Sequence, residues 1–175
     1  MSSKLEQKAR AVVERAEQKA LCIVTAESCT AGALATLLAD APGAGNCFHG
    51  GFVTYAKACK TDFLGIPADL IASETAVSQK IAEAMATGAL RASGADVAIA
   101  ITGVVGPEPD EDGNPVGLLH IATAAAEGGT IRHIEIQTQE TSRAANRERA
   151  LFEALDILDA ILSECLAKPP LPAPS

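Results

Sequence analysis

The chain has 175 residues, 48% of them hydrophobic but only 3% aromatic, with no tryptophan. That length suits one domain that buries a core without staples, and so ring-poor a core has to be built from Ala, Leu, Ile and Val in close layers, as where helices cover a sheet. A formal net charge of -8 with no Lys/Arg-rich run argues against a nucleic-acid partner held by phosphate neutralisation, while leaving room for one phosphate in a local pocket.

Residues 4–20 carry Leu5, Ala9, Val12, Val13, Ala16 and Ala20 at helical spacing among charged residues, which predicts an amphipathic first helix and leaves no apolar core for a signal peptide. The apolar run at 21–26 predicts a strand that ends abruptly in Glu27-Ser28-Cys29-Thr30. A small-residue helix follows at once, with Ala31, Leu34, Ala35 and Leu38 on one face and hydroxyls at its N-terminus. Ser28 or Thr30 there has two readings: a cap for the helix, or a nucleophile whose oxyanion is received by the unpaired N–H groups. Pro42 and Gly43 break that helix.

Residues 47–55 predict a second strand, and Gly50-Gly51 inside it a bulge or a close backbone approach. Ala56 to Leu64 reads as a short helix ended by Gly65 and Pro67, and Ser73 to Val77 as a loop. Ser78 is placed to cap a longer helix with Ile81, Ala82, Met85, Ala86 and Ala89 inward and Gly94 at its end. VAIAIT at 97–102 is a continuous apolar run of the buried-parallel kind, followed by a Gly-, Pro- and acid-rich loop. Leu118–Ala125 and 130–138 predict a hairpin around Gly128-Gly129. The last helix starts near Ser142 with Leu151, Leu155, Leu158 and Leu162 inward, and a Pro-rich tail at 168–175 is expected to be disordered.

Strands alternating with helices, plus one hairpin, predict an α/β three-layer sandwich: a mostly parallel sheet with an antiparallel edge, helices on both faces, in one domain over 1–167. Ligands in such sheets sit at the carboxyl ends of the strands, where Ser28, Tyr55 and Thr102 all fall. Five cysteines at 22, 29, 47, 59 and 165, odd in number and without CxxC spacing, suggest neither a disulfide framework nor a zinc site. Reduced thiols in a cytoplasmic protein is the simplest account, and no apolar run reaches membrane-spanning length.

Several motifs together resemble the CinA carboxy-terminal domain family, whose characterised members are nicotinamide-nucleotide amidases. They are AESCTAG (26–32), PGAG (42–45), GGFVTYAKACKTDFLGI (50–66), AVSQKIAEAMATGA (76–89), AIAITGVVGP (98–107), PVGLLHIA (115–122) and the helix start with Arg143 and Arg147. They span nearly the whole chain in the family's order. Larger family members carry a further N-terminal domain that this length does not hold, so the resemblance is to the stand-alone form. It implies hydrolysis of nicotinamide mononucleotide to nicotinic acid mononucleotide and ammonia, without a cofactor or metal. The family's serine falls on Ser28, its lysine on Lys60, the preceding tyrosine on Tyr55, the Thr-Gly after the buried strand on Thr102 and Gly103, and the paired arginines on Arg143 and Arg147. Lys57 stands where the family often has a neutral polar residue. The loop from Val104 to Asp112 is bulkier and more acidic than the family's glycine-rich one.

Amide hydrolysis needs an activated nucleophile, oxyanion stabilisation and a proton for the leaving ammonia. A neutral Lys60 supplies the first and third if burial lowers its pKa, with Tyr55 as proton relay or as a support for the lysine. Backbone N–H groups near Cys29 and Thr30 are the expected oxyanion donors, and Glu27, Cys29 and Thr30 are the expected substrate contacts of this turn. Cys29 is a rival nucleophile, since a thiol at a helix N-terminus is acidified. His49, His120 and His133 fall in predicted strands and read as structural or solvent-facing, with His49 the best placed of the three. Arg143 and Arg147 are four apart on one helix face, suited to a phosphate or to ion pairing with Glu140 or Glu148. The Thr102-Gly103 turn is another source of phosphate contacts. The acidic run at 108–112 reads as a solvated loop with no calcium-loop spacing. A non-catalytic nucleotide-binding or regulatory module is the alternative function, and apolar helix faces suggest a homo-oligomer.

Overall fold

The computed structural model describes residues 3–169. Its elements run α1 (Ser3–Gln18), β1 (Ile23–Glu27), α2 (Ala33–Ala39), α3 (Ala44–Cys47), β2 (Phe48–Val53), α4 (Lys57–Leu64), α5 (Ala68–Glu74), α6 (Gln79–Ser93), β3 (Val97–Gly103), β4 (Leu118–Ala125), β5 (Ile131–Gln137) and α7 (Arg143–Glu164). The strands lie in the order β2-β1-β3-β4-β5. β1 pairs in parallel with β2 and β3, and β4 is antiparallel to both its neighbours, so β4 alone runs against the other four. This is the expected sandwich with a hairpin at one edge, its turn made by Gly128 (φ 71) and Gly129 (φ 62).

Alternation along β3 sorts the two layers. Val97, Ile99 and Ile101 face a core shared with α1, α2 and α7, where Leu5, Leu34, Leu38, Leu155 and Leu158 pack. Ala98 and Ala100 face the opposite way, against Ala82, Met85, Ala86 and Ala89 of α6. An alanine-rich sheet face lets α6 lie close to the strands, which is how a chain with so few rings fills its core. Ser78 caps α6 by accepting from Ile81 N at 3.4 Å, and Ser142 caps α7 by accepting from Ala145 N at 3.1 Å. In β2 the register slips between Ile23 and Val24, leaving His49 as the extra, exposed residue of the expected bulge. A Cβ on Gly51 would stand 2.3 Å from Thr25 Oγ1, so the backbone there approaches β1 as only glycine allows.

Four expectations change. The helix after Ser28 begins two residues later than the pattern suggests: Ala31 (φ 52) and Gly32 (φ 91) form a left-handed turn, and α2 starts at Ala33. The short helices α3 and α5 were not expected, and α5 takes in the first part of the loop read at 73–77. Ile71 is the only buried side chain of α5, too little for a periodic signal. The tail expected to be free at 168–175 begins anchored, since Lys168 N donates to Lys19 O at 2.8 Å and its ammonium pairs with Asp96. Positions 170–175 of that tail lie outside the described residues.

Candidate active site

β1, β2 and β3 point the same way, so their carboxyl ends share one edge of the sheet. Ser28 N donates to Ile101 O at 2.9 Å and Thr54 N to Glu27 O at 2.8 Å, which carries the sheet's order one residue past the strand ends. That edge opens into a cavity of about 690 Å³, walled by the strand ends, α4, the loop between β3 and β4, and the start of α7.

Glu27 organises the edge from beneath. Its carboxylate is fully buried and accepts the N–H groups of Gly32 at 3.0 Å, Leu34 at 3.1 Å and Ala35 at 2.7 Å. Neither expected hydroxyl caps α2; this carboxylate does, where the unpaired donors and the positive end of the helix dipole converge. Ser28 is thereby left free of a capping role. The N–H groups of Cys29 and Thr30 donate to no oxygen acceptor among the described residues.

Lys60 stands on α4 and is only 1% exposed. Its Nζ lies 3.1 Å from Ser28 Oγ and donates to Thr54 O at 2.7 Å. Burial strips water from the ammonium and lowers its pKa to about 8. Cys29 lines the same cavity, but burial pushes its thiol up to about 12, with the Glu27 charge adding to the effect. Desolvation here outweighs the helix-terminus effect, and Cys29 is a packed thiol at neutral pH.

Tyr55, Thr102, Gly103 and Arg143 also line the cavity. Tyr55 is 59% exposed at the mouth and makes no hydrogen bond to Lys60; the backbone carbonyl of Thr54 holds that lysine instead. Thr102 Oγ1 donates to Ala76 O at 2.7 Å, tying the loop before α6 to the wall. A Cβ on Gly103 would stand 2.7 Å from Leu118 O, so this position needs glycine for β4 to pass. Arg143 donates to Gly106 O at 2.8 Å and lines the cavity. Arg147 does not line the cavity: it donates to Thr30 O at 2.7 Å and ties α7 to the turn after Ser28. Glu27 and Thr30 likewise stand behind the cavity wall, not in it. Neither arginine forms an ion pair with Glu140 or Glu148 among the described residues.

Two supporting groups were not singled out from the sequence. Asn146 is fully buried between Val105 O and Glu140 O, both at 3.2 Å, and joins the cavity loop to α7. It extends the inward stripe of Ala150 and Ala154 back by one turn, a signal that was available. Thr54 acts through a carbonyl, for which a side chain gives no sign. The acidic loop is not simply solvated, since Lys57 pairs with Glu111 at 2.6 Å and Asp112 at 2.9 Å. His120 Nδ1 and His133 Nε2 meet at 3.0 Å between β4 and β5, away from the cavity, and His49 is exposed on β2. Among the described residues no helix is long and apolar enough to cross a membrane, and no group of three or more His, Cys, Asp or Glu is placed to hold a metal ion.

The CinA C-terminal domain family matches residues 5–162. A CinA-like protein of Mycolicibacterium gilvum is 44% identical over 141 residues, 81% of this chain and 33% of that protein. One of Akkermansia muciniphila is 41% identical over 149 residues, 84% of this chain and 36% of that protein. The chain thus spans about a third of the length of these curated relatives. Among solved structures, the competence/damage inducible protein CihA from Agrobacterium tumefaciens superposes with a TM-score of 0.87 at 35% identity, covering 93% of this chain and 98% of that one. A CinA superfamily protein from Escherichia coli gives 0.84 at 32% identity, with 93% of each chain covered.

Proposed function

The chain belongs to the CinA C-terminal domain family, and on that premise we propose that it is a nicotinamide-nucleotide amidase, converting nicotinamide mononucleotide and water to nicotinic acid mononucleotide and ammonia. The observation that carries the reading is the buried Lys60 amine 3.1 Å from the Ser28 hydroxyl, in a cavity of nucleotide size. Neutral Lys60 takes the Ser28 proton while Oγ bonds to the carboxamide carbon. Thr54 O holds one lysine N–H, which orients the nitrogen lone pair toward the serine. Negative charge collects on the carboxamide oxygen, and the free N–H of Cys29, which lines the cavity, receives it. The lysine then returns its proton to the amide nitrogen, the C–N bond breaks and ammonia leaves. A water deprotonated by the same lysine hydrolyses the resulting ester, restoring Ser28 and releasing the carboxylate.

Arg143 and Tyr55 at the mouth serve the phosphate and the ring, and residues 1–167 form the single catalytic domain. The test is ammonia release from nicotinamide mononucleotide: wild type releases it, and Ser28→Ala keeps its melting temperature but releases none. Wild-type turnover by Ser28→Ala would falsify the assignment. A second reading, a pocket that binds nucleotide without turnover, is favoured by the Lys57 bridge to the acidic loop at the cavity mouth. Its signature is a melting shift with the nucleotide and no ammonia.

A further inference from the structure

Lys57 lies on the first turn of α4, three residues before Lys60, so both side chains leave the helix on the same side and line one cavity. The Lys57 ammonium reaches across the mouth to Glu111 Oε1 at 2.6 Å and Asp112 Oδ2 at 2.9 Å. Those two carboxylates keep it charged by raising its pKa.

The loop that carries them is built as a unit. Asp110 accepts from Asp112 N at 3.1 Å, Asn114 N at 2.8 Å and Asn114 Nδ2 at 2.8 Å, which closes residues 110–114 into one turn. Gly106 (φ 91) and Gly117 (φ 90) sit on either side of it in a conformation that other residues rarely adopt. The root of the loop is fixed by Asn146 and Arg143, bonded to Val105 O and Gly106 O. The bridge to Lys57 therefore joins a compact tip to the opposite wall.

With the bridge closed, an anion entering the cavity meets the loop's carboxylates, and the Lys57 ammonium is already taken. A phosphate monoester dianion carries the charge of Glu111 and Asp112 together and presents its oxygens to a lysine in the same way. We propose that Lys57 joins Arg143 in selecting an anionic ligand in this cavity, and that Glu111 and Asp112 hold the Lys57 anion position in the unliganded protein, so that a phosphate monoester binds by exchanging with them. The exchange conserves charge around Lys57: two monoanions swing away on the tip and one dianion arrives. An uncharged ligand of the same shape gains nothing from it. The inference rests on the amidase reading only in making the anion a nucleotide's phosphate.

The test uses the full chain at low salt with inorganic phosphate as probe, titrated calorimetrically. Replacing both carboxylates (Glu111→Gln with Asp112→Asn) removes the internal competitor and lowers the phosphate Kd roughly three- to tenfold, the scale of two exposed ion pairs. Adding Lys57→Met to that variant returns the Kd to the wild-type value or weaker. An unchanged Kd in the double variant, or a gain that survives loss of Lys57, overturns the proposal. Turnover gives a second arm: in the double variant the ratio of KM for nicotinamide mononucleotide to KM for nicotinamide riboside falls by a similar factor, and an unmoved ratio counts against the exchange. Absence of turnover on both substrates defeats the amidase reading alone, and the phosphate titration still decides the role of Lys57.

Discussion

A lysine that works as a base has to be neutral, and an ordinary one at neutral pH is not. At pH 7 a side chain with the usual value is about 0.03% neutral, whereas one near 8 is about 9% neutral, a gain of roughly 300-fold in the active form. Burial of Lys60 brings it to about 8. The kcat for ammonia release should therefore rise about tenfold between pH 7 and pH 9 and level off above. The same shift sets a stability slope. The folded chain gives up the Lys60 proton near pH 8 and the unfolded chain near its ordinary 10.5, so between those values the unfolded state binds more protons and stability increases with pH. The increase amounts to about 3 kcal/mol across the window, all of it a burial penalty on the charged form that is fully present below pH 8. Cys29 and Cys47, raised to about 12 and about 11, act in the opposite sense above about pH 9. The quantity to measure is thus the difference in urea unfolding free energy between wild type and Lys60→Met, at pH 7.5 and at pH 10.5. The reasoning is refuted by a difference that stays constant across that range, or by a kcat profile that is flat or bends only near 10.5.

Glu27→Ala strands three N–H donors, one buried at Leu34 and two part-buried at Gly32 and Ala35, and should lower stability by about 2–3 kcal/mol, read from the urea midpoint; a loss under about 1 kcal/mol would mean that water replaces the carboxylate. Gly103→Ala drives a methyl into the Leu118 carbonyl and the Leu119 side chain, so a loss of roughly 1–3 kcal/mol is expected, and an unchanged melting temperature would show that β4 gives way freely. With its thiol pushed to about 12, Cys29 should resist iodoacetamide at pH 8 in the folded protein, and turnover should survive the treatment. Peptide mapping settles it: inactivation that tracks modification of Cys29 would transfer the nucleophile from Ser28 to the thiol.

The elements with strong periodicity were legible because burial wrote them into the sequence. VAIAIT became the central strand β3, and the stripe through Leu151, Leu155, Leu158 and Leu162 became α7. Convergence of Ser28, Tyr55 and Thr102 followed from parallel strands ending at one edge, a rule of topology that needs no side-chain detail. What escaped depends on partners distant in sequence or on groups without side chains. Serine and threonine are common caps, so they drew the capping role that a buried Glu27 performs five to eight residues away. Thr54 holds Lys60 through a carbonyl, which every residue has. Arg143 and Arg147 look equivalent at four-residue spacing, yet one meets the cavity and the other a backbone oxygen of the turn, partners distant in sequence that the spacing does not distinguish. Lys57 and the acids at 111 and 112 are far apart in the chain, and only the closed loop makes them a pair.

Lys60 titrates at about 8 with no carboxylate among the groups that act on it. The site buries an acid and a base around one serine, and a buried carboxylate beside a buried ammonium normally holds the ammonium charged. A lysine so held would keep its proton and be useless to Ser28. Here Glu27 turns away under α2, where three N–H groups and the helix dipole take up its charge, while the Lys60 nitrogen has only a carbonyl and a hydroxyl for partners. Neither neutral partner offsets the loss of water, so desolvation dominates and the pKa drops. The left-handed turn at Ala31 and Gly32 makes this separation possible, since it starts α2 late enough for its first donors to come down onto the carboxylate. Had the helix begun directly after Ser28, the serine would have been the natural cap, its hydroxyl engaged by the backbone. One two-residue turn therefore gives Glu27 three donors of its own and leaves the Ser28 hydroxyl without a capping role.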